Sequence, residues 1–485
     1  MRIKEITASL GYLILLFSFS FLVPAVAGLY YNETSEYVYK AYLLPLIVSA
    51  SIGCILWYNS RDSVENLRER DAYIVVGMGW VAIAALGALP YMFSGTISNP
   101  LDAFFESMSG FTTTGASVLD FSGGDYIDIY PHSILLWRAL TNWLGGMGII
   151  VLGIVILARF MHGGLFLFKA EVAGASVTRL KPKLYQTARI LWAVYGFFTL
   201  ACILFFMAAG MPGFDAVCTS FSTLSSGGFT LHTDSIGFYA SPAVEAVAVV
   251  FMFLGATNFV VHYWFLTGRF REASKDAEMR TFVIWLAGMS AIVIGSLMLS
   301  GMDSPVRNGL FGAVSAATTT GFSTVSDMSV WPPLIHALLL FLMLTGATLG
   351  STSGGLKTAR FLVLIKNLRN GMIKAIHPRA VLSVKMGGKA IPDSVVSRIQ
   401  ILFLTFTMVL AVSVLLLCAT GISLVDSFSA SASCIANCGL SIFSPGVGFH
   451  TFSPFAKAVL TVVMWMGRLE IFTALMVLAP STYRK

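Results

Sequence analysis

Apolar and polar residues follow one another along this chain in long blocks rather than with a short period. Ten apolar blocks approach or exceed the roughly 20 residues that a helix needs to cross a bilayer. They cover about 8–29, 41–58, 72–94, 134–160, 187–210, 243–267, 280–301, 333–369, 397–420 and 455–479. No polar stretch between them is long enough for a separate soluble domain. The pattern therefore predicts an all-α membrane protein with ten spans, the eighth of them interrupted.

The first block permits two interpretations. Arg2 and Lys4 precede it, and it contains Ala25-Val26-Ala27, an arrangement that resembles a cleavable signal peptide. Because the block is nearly long enough to span a bilayer, we interpret it as the first transmembrane helix.

Four other apolar segments are only about half as long as a span. They cover about 102–112, 215–225, 308–318 and 426–436. A helix of about ten residues is roughly 15 Å long, which is half the thickness of the hydrocarbon core. Each segment is therefore predicted to be a re-entrant helix that enters the membrane without crossing it.

The four short segments share one pattern, in which an Asp or Asn lies thirteen residues before a glycine among small polar residues. The pairs are Asp102 and Gly115 in TTTGAS (112–117), Asp215 and Gly228 in SSGGFT (225–230), Asn308 and Gly321 in TTTGFS (318–323), and Asp426 and Gly439 in ANCGLS (436–441). Identical spacing in four places, each between two spans, indicates an internal repeat. We predict four helix–pore-loop–helix units around one pore (71–165, 180–270, 275–370 and 390–485), preceded by two extra transmembrane helices (1–70).

The chemistry of this repeat suits a cation. We expect the Asx side chain to cap the short helix and the negative end of the helix dipole to point toward the membrane centre. Irregular backbone at that depth is tolerated only where it lines a wet cavity. Glycine allows the backbone to turn its carbonyl oxygens inward, and Ser and Thr add hydroxyl oxygens. Four such loops would form a ring of neutral oxygens that replaces the water shell of an ion.

The predicted ring consists of Thr113, Thr114, Gly115, Ser226, Gly227, Gly228, Thr319, Thr320, Gly321, Asn437, Cys438 and Gly439. These loops contain no Asp or Glu, which favours a monovalent over a divalent cation. Four simple Thr/Gly turns at helix ends are the alternative, but turns alone explain neither the half-length helices nor the fixed spacing. The fourth loop, with Asn437 and Cys438, is the least like the other three.

Composition and charge agree with a membrane protein. Of the 485 residues, 56% are hydrophobic and 11% are charged, whereas soluble domains carry about 25% charged residues. With the N-terminus inside, all 31 lysines and arginines fall in inner segments except Lys40, Arg138, Arg307, Lys457 and Arg468. This positive-inside asymmetry accounts for the net charge of +7 without nucleic acid and predicts that both termini are cytoplasmic. The six cysteines form no Cys/His cluster of the kind that binds a metal.

The eighth span is interrupted by ten residues of which four are Gly and four are Ser or Thr: Gly346, Ala347, Thr348, Leu349, Gly350, Ser351, Thr352, Ser353, Gly354 and Gly355. Each internal Gly costs a helix about 1 kcal/mol relative to Ala, so we expect the helix to break here into a flexible loop inside the membrane. A small-residue face for close helix packing is the alternative.

Arg468 lies in the middle of the last span. A charge at that depth costs about 2.5–3.5 kcal/mol on insertion scales, so it should face water or a partner. Glu470 lies about 200° further round a helix and is poorly placed to pair with it. We therefore expect Arg468 to face the pore as a barrier to cations, with an ion pair to a distant acid as the alternative. Arg138, near the outer end of its span, is expected only to snorkel.

These motifs resemble the Trk/Ktr/HKT superfamily of potassium transporters, and the two leading spans resemble its TrkH-type membrane subunits. The similarity extends to NWLGGMGIIVL (142–152) and GSTSGGLKTAR (350–360) and covers essentially the whole chain.

The resemblance implies a potassium-permeating channel-like protein of the cytoplasmic membrane, with K⁺ as the transported ion and no cofactor bound by this chain. It implies a homodimer and a cytosolic, nucleotide-binding, TrkA-like regulatory subunit on the inner face. In this family, glycine in all four loops goes with potassium, and an arginine at the position of Arg468 lies below the filter. The loop that matches 346–355 also lies under the filter in this family and acts as a gate, so the resemblance implies a gate here. The basic stretch 357–398 would be either a docking surface for the regulator or a consequence of topology alone.

Two other classes of function stay open. A secondary transporter that couples potassium to sodium or protons would also use broken helices at the membrane midplane, although few acidic residues lie within spans. A membrane-embedded enzyme finds little support, because the chain has no HExxH, no GxSxG and no paired aspartates in a span.

Overall fold

The computed structural model describes residues 3–60, 69–119, 124–160, 184–440 and 442–482. Some of the sequence predictions concern residues outside these ranges. They are the predictions for Arg2, for the basic residues between 61 and 68 and between 161 and 183, for Ser441, and for Arg484 with Lys485. Most of the described part is helical. Its strands are the short antiparallel pair Lys385–Met386 and Lys389–Ala390.

The helices are numbered along the chain. They are α1 (Ile3–Ser18), α2 (Leu22–Tyr30), α3 (Ser35–Val38), α4 (Leu44–Tyr58), α5 (Glu69–Gly87), α6 (Leu89–Phe93), α7 (Pro100–Phe111), α8 (Tyr126–Ile129), α9 (His132–Phe160), α10 (Leu184–Ala208), α11 (Gly213–Leu224), α12 (Pro242–Gly255), α13 (Phe259–Leu266), α14 (Phe270–Ser274), α15 (Ala277–Leu299), α16 (Pro305–Ala317), α17 (Pro333–Thr345), α18 (Thr358–Ile376), α19 (Asp393–Cys418), α20 (Leu424–Ala436), α21 (Pro454–Arg468) and α22 (Phe472–Leu478).

The all-α membrane architecture predicted from the sequence is confirmed. Within the described residues, six helical stretches are long and apolar enough to cross a membrane, or eight if each of two bent pairs is one span. The six are Ile3–Tyr30, Ser35–Tyr58, Arg70–Phe93, Ala188–Ala208, Ala277–Leu299 and Asp393–Cys418. Predicted span 134–160 corresponds to the single helix α9, and predicted span 333–369 to α17 and α18 with residues 346–357 between them.

Two predicted spans are not continuous helices. The span predicted at 243–267 bends by 104° between α12 and α13, and the span predicted at 455–479 bends by 119° between α21 and α22. Proline kinks most helices that bend sharply, but neither break contains one. The breaks lie beside the loop at 346–355 and immediately after Arg468, so tertiary contacts compensate for the lost helical hydrogen bonds.

The leading helices pack on the first repeat unit. A Cβ on Gly11 of α1 would collide with the Gly53 carbonyl oxygen of α4, so these two helices meet backbone to backbone. The Phe21 ring stacks on Trp137 of α9 at a centroid distance of 4.9 Å. Buried apolar side chains then form two large clusters. One joins the leading helices mainly with the first and fourth units, and the other joins mainly the second and third.

The four short helices are present where the pattern places them, as α7, α11, α16 and α20. The prediction that the Asx residues cap them is wrong, because the N-cap positions are Asn99, Pro212, Ser304 and Ser423. The Asx residues lie one turn further in and hold segments beyond the loops instead. Asp102 pairs with Lys457, Asp215 accepts from the Tyr239 hydroxyl, Asn308 from Thr324 Oγ1, and Asp426 from the Ser444 N–H.

Candidate functional site

All four short helices end in the same way. After each helix, one N–H donates to the carbonyl three residues back and the next N–H donates to the carbonyl five residues back, which is the Schellman pattern. The N–H groups of Thr114, Gly227, Thr320 and Cys438 make the longer of these bonds at 2.8, 2.8, 3.0 and 3.0 Å. Four segments that differ in sequence therefore adopt one backbone geometry, as the common spacing of the repeat predicts.

The residue two positions before each repeat glycine adopts the left-handed conformation. These residues are Thr113, Ser226, Thr319 and Asn437, with φ between 50° and 55°. Left-handed geometry is unfavourable for a β-branched side chain such as Thr and costs of order 1–3 kcal/mol. Backbone strain of this kind tends to cluster at functional sites, and here it recurs at the same place in all four loops.

The four glycines bring the loops into one closed ring. A Cβ on Gly115 would collide with the carbonyl oxygen of Gly227, one on Gly228 with that of Thr320, one on Gly321 with that of Cys438, and one on Gly439 with that of Thr114. Each repeat glycine thus faces a carbonyl of the next loop around the ring, that of the residue immediately before that loop's own repeat glycine. Glycine is required at these positions on two grounds. A Cβ would collide with the neighbouring loop, and φ lies between 72° and 84°, which favours glycine.

The side chains around the ring differ among the loops. Thr112 and Thr114 share a hydroxyl contact at 2.8 Å, and Thr318 and Thr320 share the matching one at 2.9 Å. In the fourth loop, the Asn437 amide donates to Thr114 Oγ1 at 3.0 Å and to the Met464 carbonyl at 2.9 Å. The loop that looked most divergent in sequence is therefore bonded to the first loop and closes the ring.

Helix α9 explains the NWLGGMG motif. Gly145 lies against the carbonyl of Phe111 at the end of α7, and Gly146 lies against Ser225 at the end of α11. A Cβ at either position would displace a pore-loop helix. The Asn142 side chain lies beside Gly227. The motif is thus a packing surface for the first two loops.

The segment 346–355 forms a loop directly beneath these loops, and its residues are buried or half-buried. Thr352 Oγ1 contacts Ser226 Oγ at 2.9 Å, and the Gly354 N–H donates to Thr319 Oγ1 at 2.7 Å. Gly354 also lies against the carbonyl of Ala436. The loop therefore contacts the C-terminal ends of the second, third and fourth short helices.

The other anchors of the loop lie at the breaks in neighbouring helices. Thr352 donates from its N–H and from its hydroxyl to the Gly255 carbonyl, and Thr348 does the same to Ala256. These carbonyls belong to the end of α12, where the chain bends. The Leu349 N–H donates to Glu278 Oε1 at 2.7 Å, so a buried carboxylate at the start of α15 also holds the loop.

Arg468 lies at the end of α21 and reaches across to two other elements. Its Nη1 donates to the Thr352 carbonyl at 2.9 Å, and its Nη2 donates to the Gly145 carbonyl at 2.7 Å. It therefore connects the loop at 346–355 with α9, close to the end of the first short helix. Glu470, which the sequence indicates is poorly placed to pair with Arg468, forms an ion pair with Arg360.

Arg138 does not snorkel, so that prediction is wrong. Its side chain is buried, and its Nε lies 2.8 Å from Glu106 Oε1. Helix α9 packs against α7, which brings the two charges together away from lipid. This pair is missed in the sequence because the partners lie 32 residues apart in separate predicted helices. The sequence does contain one indication of this pair, because Arg138 and Glu106 are each an isolated charge in an apolar segment.

A second polar cluster joins the segments that follow the first and second loops. His232, four residues after Gly228, contacts Asp125 through Nδ1 and Asp215 through Nε2. Its ring stacks on Phe238 at 3.5 Å. Burial lowers the pKa of His232, but hydrogen bonds to Asp215 and Asp125 outweigh this, and the pKa is raised above the usual 6.5. The cluster ties the first loop region to the second unit.

These features define a polytopic membrane protein with a ring of backbone carbonyls at the ends of four short helices. The chain belongs to the TrkH family, whose sequence model, described as a cation transport protein, matches residues 39–483. The resemblance stated from the motifs is confirmed. So is the expectation that the chain is not an enzyme, because the family consists of transport proteins.

The relatives match over their whole length. The chain is 36% identical to the Trk system potassium uptake protein TrkH of Salmonella typhimurium strain LT2, over 499 residues and 100% of both chains. It is 33% identical to the Trk system potassium uptake protein TrkG of Escherichia coli K12, covering 100% of this chain and 99% of the relative. The crystal structure of the potassium transporter TrkH from Vibrio parahaemolyticus matches with a TM-score of 0.88, at 34% identity and full coverage of both chains.

Proposed function

We propose that this protein is a channel-like potassium uptake protein in which the four loops are the cation filter. One observation carries the proposal: the carbonyls of Thr114, Gly227, Thr320 and Cys438 occupy equivalent positions in a closed ring, each against a glycine of the preceding loop. The names of the relatives, which are potassium uptake proteins and a potassium transporter, support the same substrate.

The proposed chemistry is replacement of the water shell of K⁺ by neutral oxygens. Each short helix directs its negative dipole end toward the ring, so a cation is favoured without any carboxylate. Two further oxygens, Thr113 Oγ1 and Asn437 Oδ1, are buried and have no hydrogen-bond donor among the described residues. Such groups are costly unless they find a partner, and a bound cation would satisfy them.

The loop at 346–355 is proposed to be the gate, with Arg468 as an electrostatic barrier beside it. The contacts of Thr352 and Gly354 with the second and third loops support this proposal, because they would put polar but neutral groups in the proposed path. The guanidinium of Arg468 adds a positive charge that opposes a permeating cation. Opening would then require the loop to leave its acceptors on α12 and its contact with Glu278.

The proposed energy source is the membrane potential. A potential of 100 mV supplies about 2.3 kcal/mol per charge, and about 1.4 kcal/mol is a factor of ten. Together they support roughly 50-fold accumulation of a monovalent cation. A passive pore in the cytoplasmic membrane could thus serve for uptake.

Partners are proposed from the family and from charge. The family resemblance supports a homodimer and a cytosolic, nucleotide-binding, TrkA-like regulatory subunit, and the relatives are named as parts of a Trk system. The regulator would dock on the basic inner face, where the termini are also expected. Exposed Arg269, Arg271 and Arg379 contribute to that face.

A secondary transporter is the second candidate, because the bends of 104° and 119° create the broken helices that transporters use. The two functions differ in their energy source. Uptake that depends on voltage alone indicates a pore, whereas uptake that requires a sodium or proton gradient indicates coupling.

The deciding experiment is uptake of tracer rubidium into proteoliposomes under an imposed potential, with potassium and sodium as competitors. Uptake blocked much better by potassium than by sodium supports the proposal, and equal block refutes a potassium filter. No uptake in the intact protein, followed by uptake after part of 348–353 is deleted, identifies a closed gate. No uptake in either form refutes the proposed pore.

A further inference from the structure

The Arg138–Glu106 pair lies behind the first two loops, and the ion path described above makes no use of it. The side chains are 2% and 0% exposed. Buried charges persist in proteins when they are paired and hydrogen-bonded, so the other contacts of these two groups show what the pair holds in place.

Glu106 holds the first loop where it leaves the ring. Its carboxylate accepts from Ser117 Oγ at 3.0 Å and from the Val118 N–H at 2.8 Å. Ser117 lies two residues after Gly115. The carboxylate therefore bonds the middle of the first short helix to the segment that follows its own filter glycine.

Arg138 extends this support to the second loop. Its Nη2 donates to Ser117 Oγ at 3.1 Å, and its Nη1 donates to the Thr230 carbonyl at 2.9 Å. Its guanidinium also lies 4.1 Å from the centroid of the Phe229 ring, close enough for a cation–π contact. Ser117 and Thr230 both lie two residues after a ring glycine, so one rigid, planar group spans equivalent points on neighbouring loops.

The fold itself does not demand a charge at this place. Arg138 is the seventh residue of α9, and the seventh residues of α12, α17 and α21 are Ala248, Leu339 and Leu460. A buried ion pair often adds no stability over well-packed apolar side chains of similar volume. What apolar side chains could not supply is the set of directional hydrogen bonds to the two loops.

We propose that Arg138 and Glu106 are positioning residues that set the spacing of the first and second loops and thereby the discrimination of K⁺ from Na⁺. The inference rests on the proposed function of the ring. If the two loops are released, they can move toward the axis, and the ring oxygens can then coordinate the smaller Na⁺. Loss of the pair therefore reduces selectivity rather than blocking conduction.

The test compares three variants in the rubidium assay, with sodium and potassium inhibition measured at equal amounts of reconstituted protein. Arg138→Lys keeps the charge but loses the planar fork. The double variant Arg138→Met/Glu106→Leu removes both charges and keeps an apolar core. Arg307→Lys is the matched control, because Arg307 pairs with Glu245 through two nitrogens and donates to that carboxylate rather than to a loop.

We expect the ratio of sodium to potassium inhibition constants to fall about five- to tenfold in Arg138→Lys, as loss of a charge-assisted hydrogen bond would produce. Arg307→Lys keeps the wild-type ratio. The double variant keeps wild-type yield and thermal midpoint but has the reduced ratio, which a purely structural role would not cause.

Wild-type selectivity in a folded Arg138→Lys or double variant overturns the inference while leaving the proposed filter intact. If both variants fail to give monodisperse protein, the pair is needed for folding and the positioning role is rejected. If the wild-type protein itself does not prefer potassium, the proposed function fails before any variant is compared.

Discussion

Arg468 donates to the Thr352 carbonyl at 2.9 Å, although the two residues are 116 positions apart. The bond joins the end of α21 to the loop beneath the ring, and the same guanidinium reaches the Gly145 carbonyl on α9. One side chain therefore contacts both the proposed gate and the helix that supports the first two loops. In the proposed mechanism, Arg468 is therefore a mechanical restraint as well as a positive charge near the proposed ion path.

Replacement of Arg468 by Ala should raise basal uptake. It removes the charge and the bond to the loop together, and we expect about a tenfold increase in rubidium uptake at fixed potential, equivalent to a barrier lower by about 1.4 kcal/mol. Tracer flux per reconstituted protein measures it. Arg398→Ala, on the exposed side of α19, is the control. Unchanged flux in a folded Arg468→Ala protein would contradict a barrier at this position.

Replacement of Thr352 by Val should loosen the loop without changing its length. Valine has the same shape but cannot contact Ser226 Oγ or donate to the Leu224 and Gly255 carbonyls. Each such bond contributes about 0.5–1.5 kcal/mol, so we expect basal flux to rise roughly three- to tenfold. Thr407→Val is the control, because Thr407 bonds within its own exposed helix. A fall in flux with normal yield would argue against a gate that opens by leaving these contacts.

Replacement of Gly321 by Ala should abolish selective uptake. A methyl group there collides with the Cys438 carbonyl, and φ of 84° is unfavourable for alanine. Gly295→Ala on α15 provides the control, since a Cβ there meets nothing within 4 Å and Ala favours a helix over Gly by about 1 kcal/mol. We expect the control to keep wild-type uptake and Gly321→Ala to lose at least about 90% of it, a barrier change of roughly 1.4 kcal/mol or more. Selective uptake retained by Gly321→Ala would refute the ring as the filter.

The His232 cluster predicts a dependence of stability on pH. Both ring nitrogens contact carboxylates, and an imidazole donates from both nitrogens only when it is protonated. Because the pKa of His232 is raised in the folded protein, the cluster stabilises fully below the unfolded value of 6.5 and loses this contribution as pH rises through the folded pKa. The groups that face the His232 imidazole are Asp125 and Asp215, and Tyr239 is linked to it through Asp215.

Thermal midpoints in detergent, recorded from about pH 6 upward through the raised pKa of His232, measure this effect. The midpoint should fall with rising pH more in the wild-type protein than in His232→Gln. His377→Gln, on the exposed end of α18, should behave as the wild type does. Identical slopes in wild type and His232→Gln would show that the two carboxylates do not hold a charged imidazole.

Much of the architecture could be predicted from the sequence alone. Block length separates full spans from the four half-length helices, because about 20 residues cross a bilayer and about ten do not. The constant distance from the Asx residues to Gly115, Gly228, Gly321 and Gly439 indicates one repeated geometry. The density of glycine at 346–355 predicts a break in a helix, since glycine disfavours helix wherever it occurs. These are local properties, and a linear pattern contains them.

Only the tertiary structure decided which side chains meet. Asn437 and Thr114 are 323 residues apart, and Arg138 and Glu106 are 32 apart, so no local periodicity pairs them. The breaks after Gly255 and Arg468 occur in apolar stretches without proline, and contacts with the loop at 346–355 satisfy the freed carbonyls of Gly255 and Ala256. The Asx side chains also bond beyond their loops rather than capping helices. Pairing energies of this kind depend on distance and burial in three dimensions, which composition and spacing do not specify.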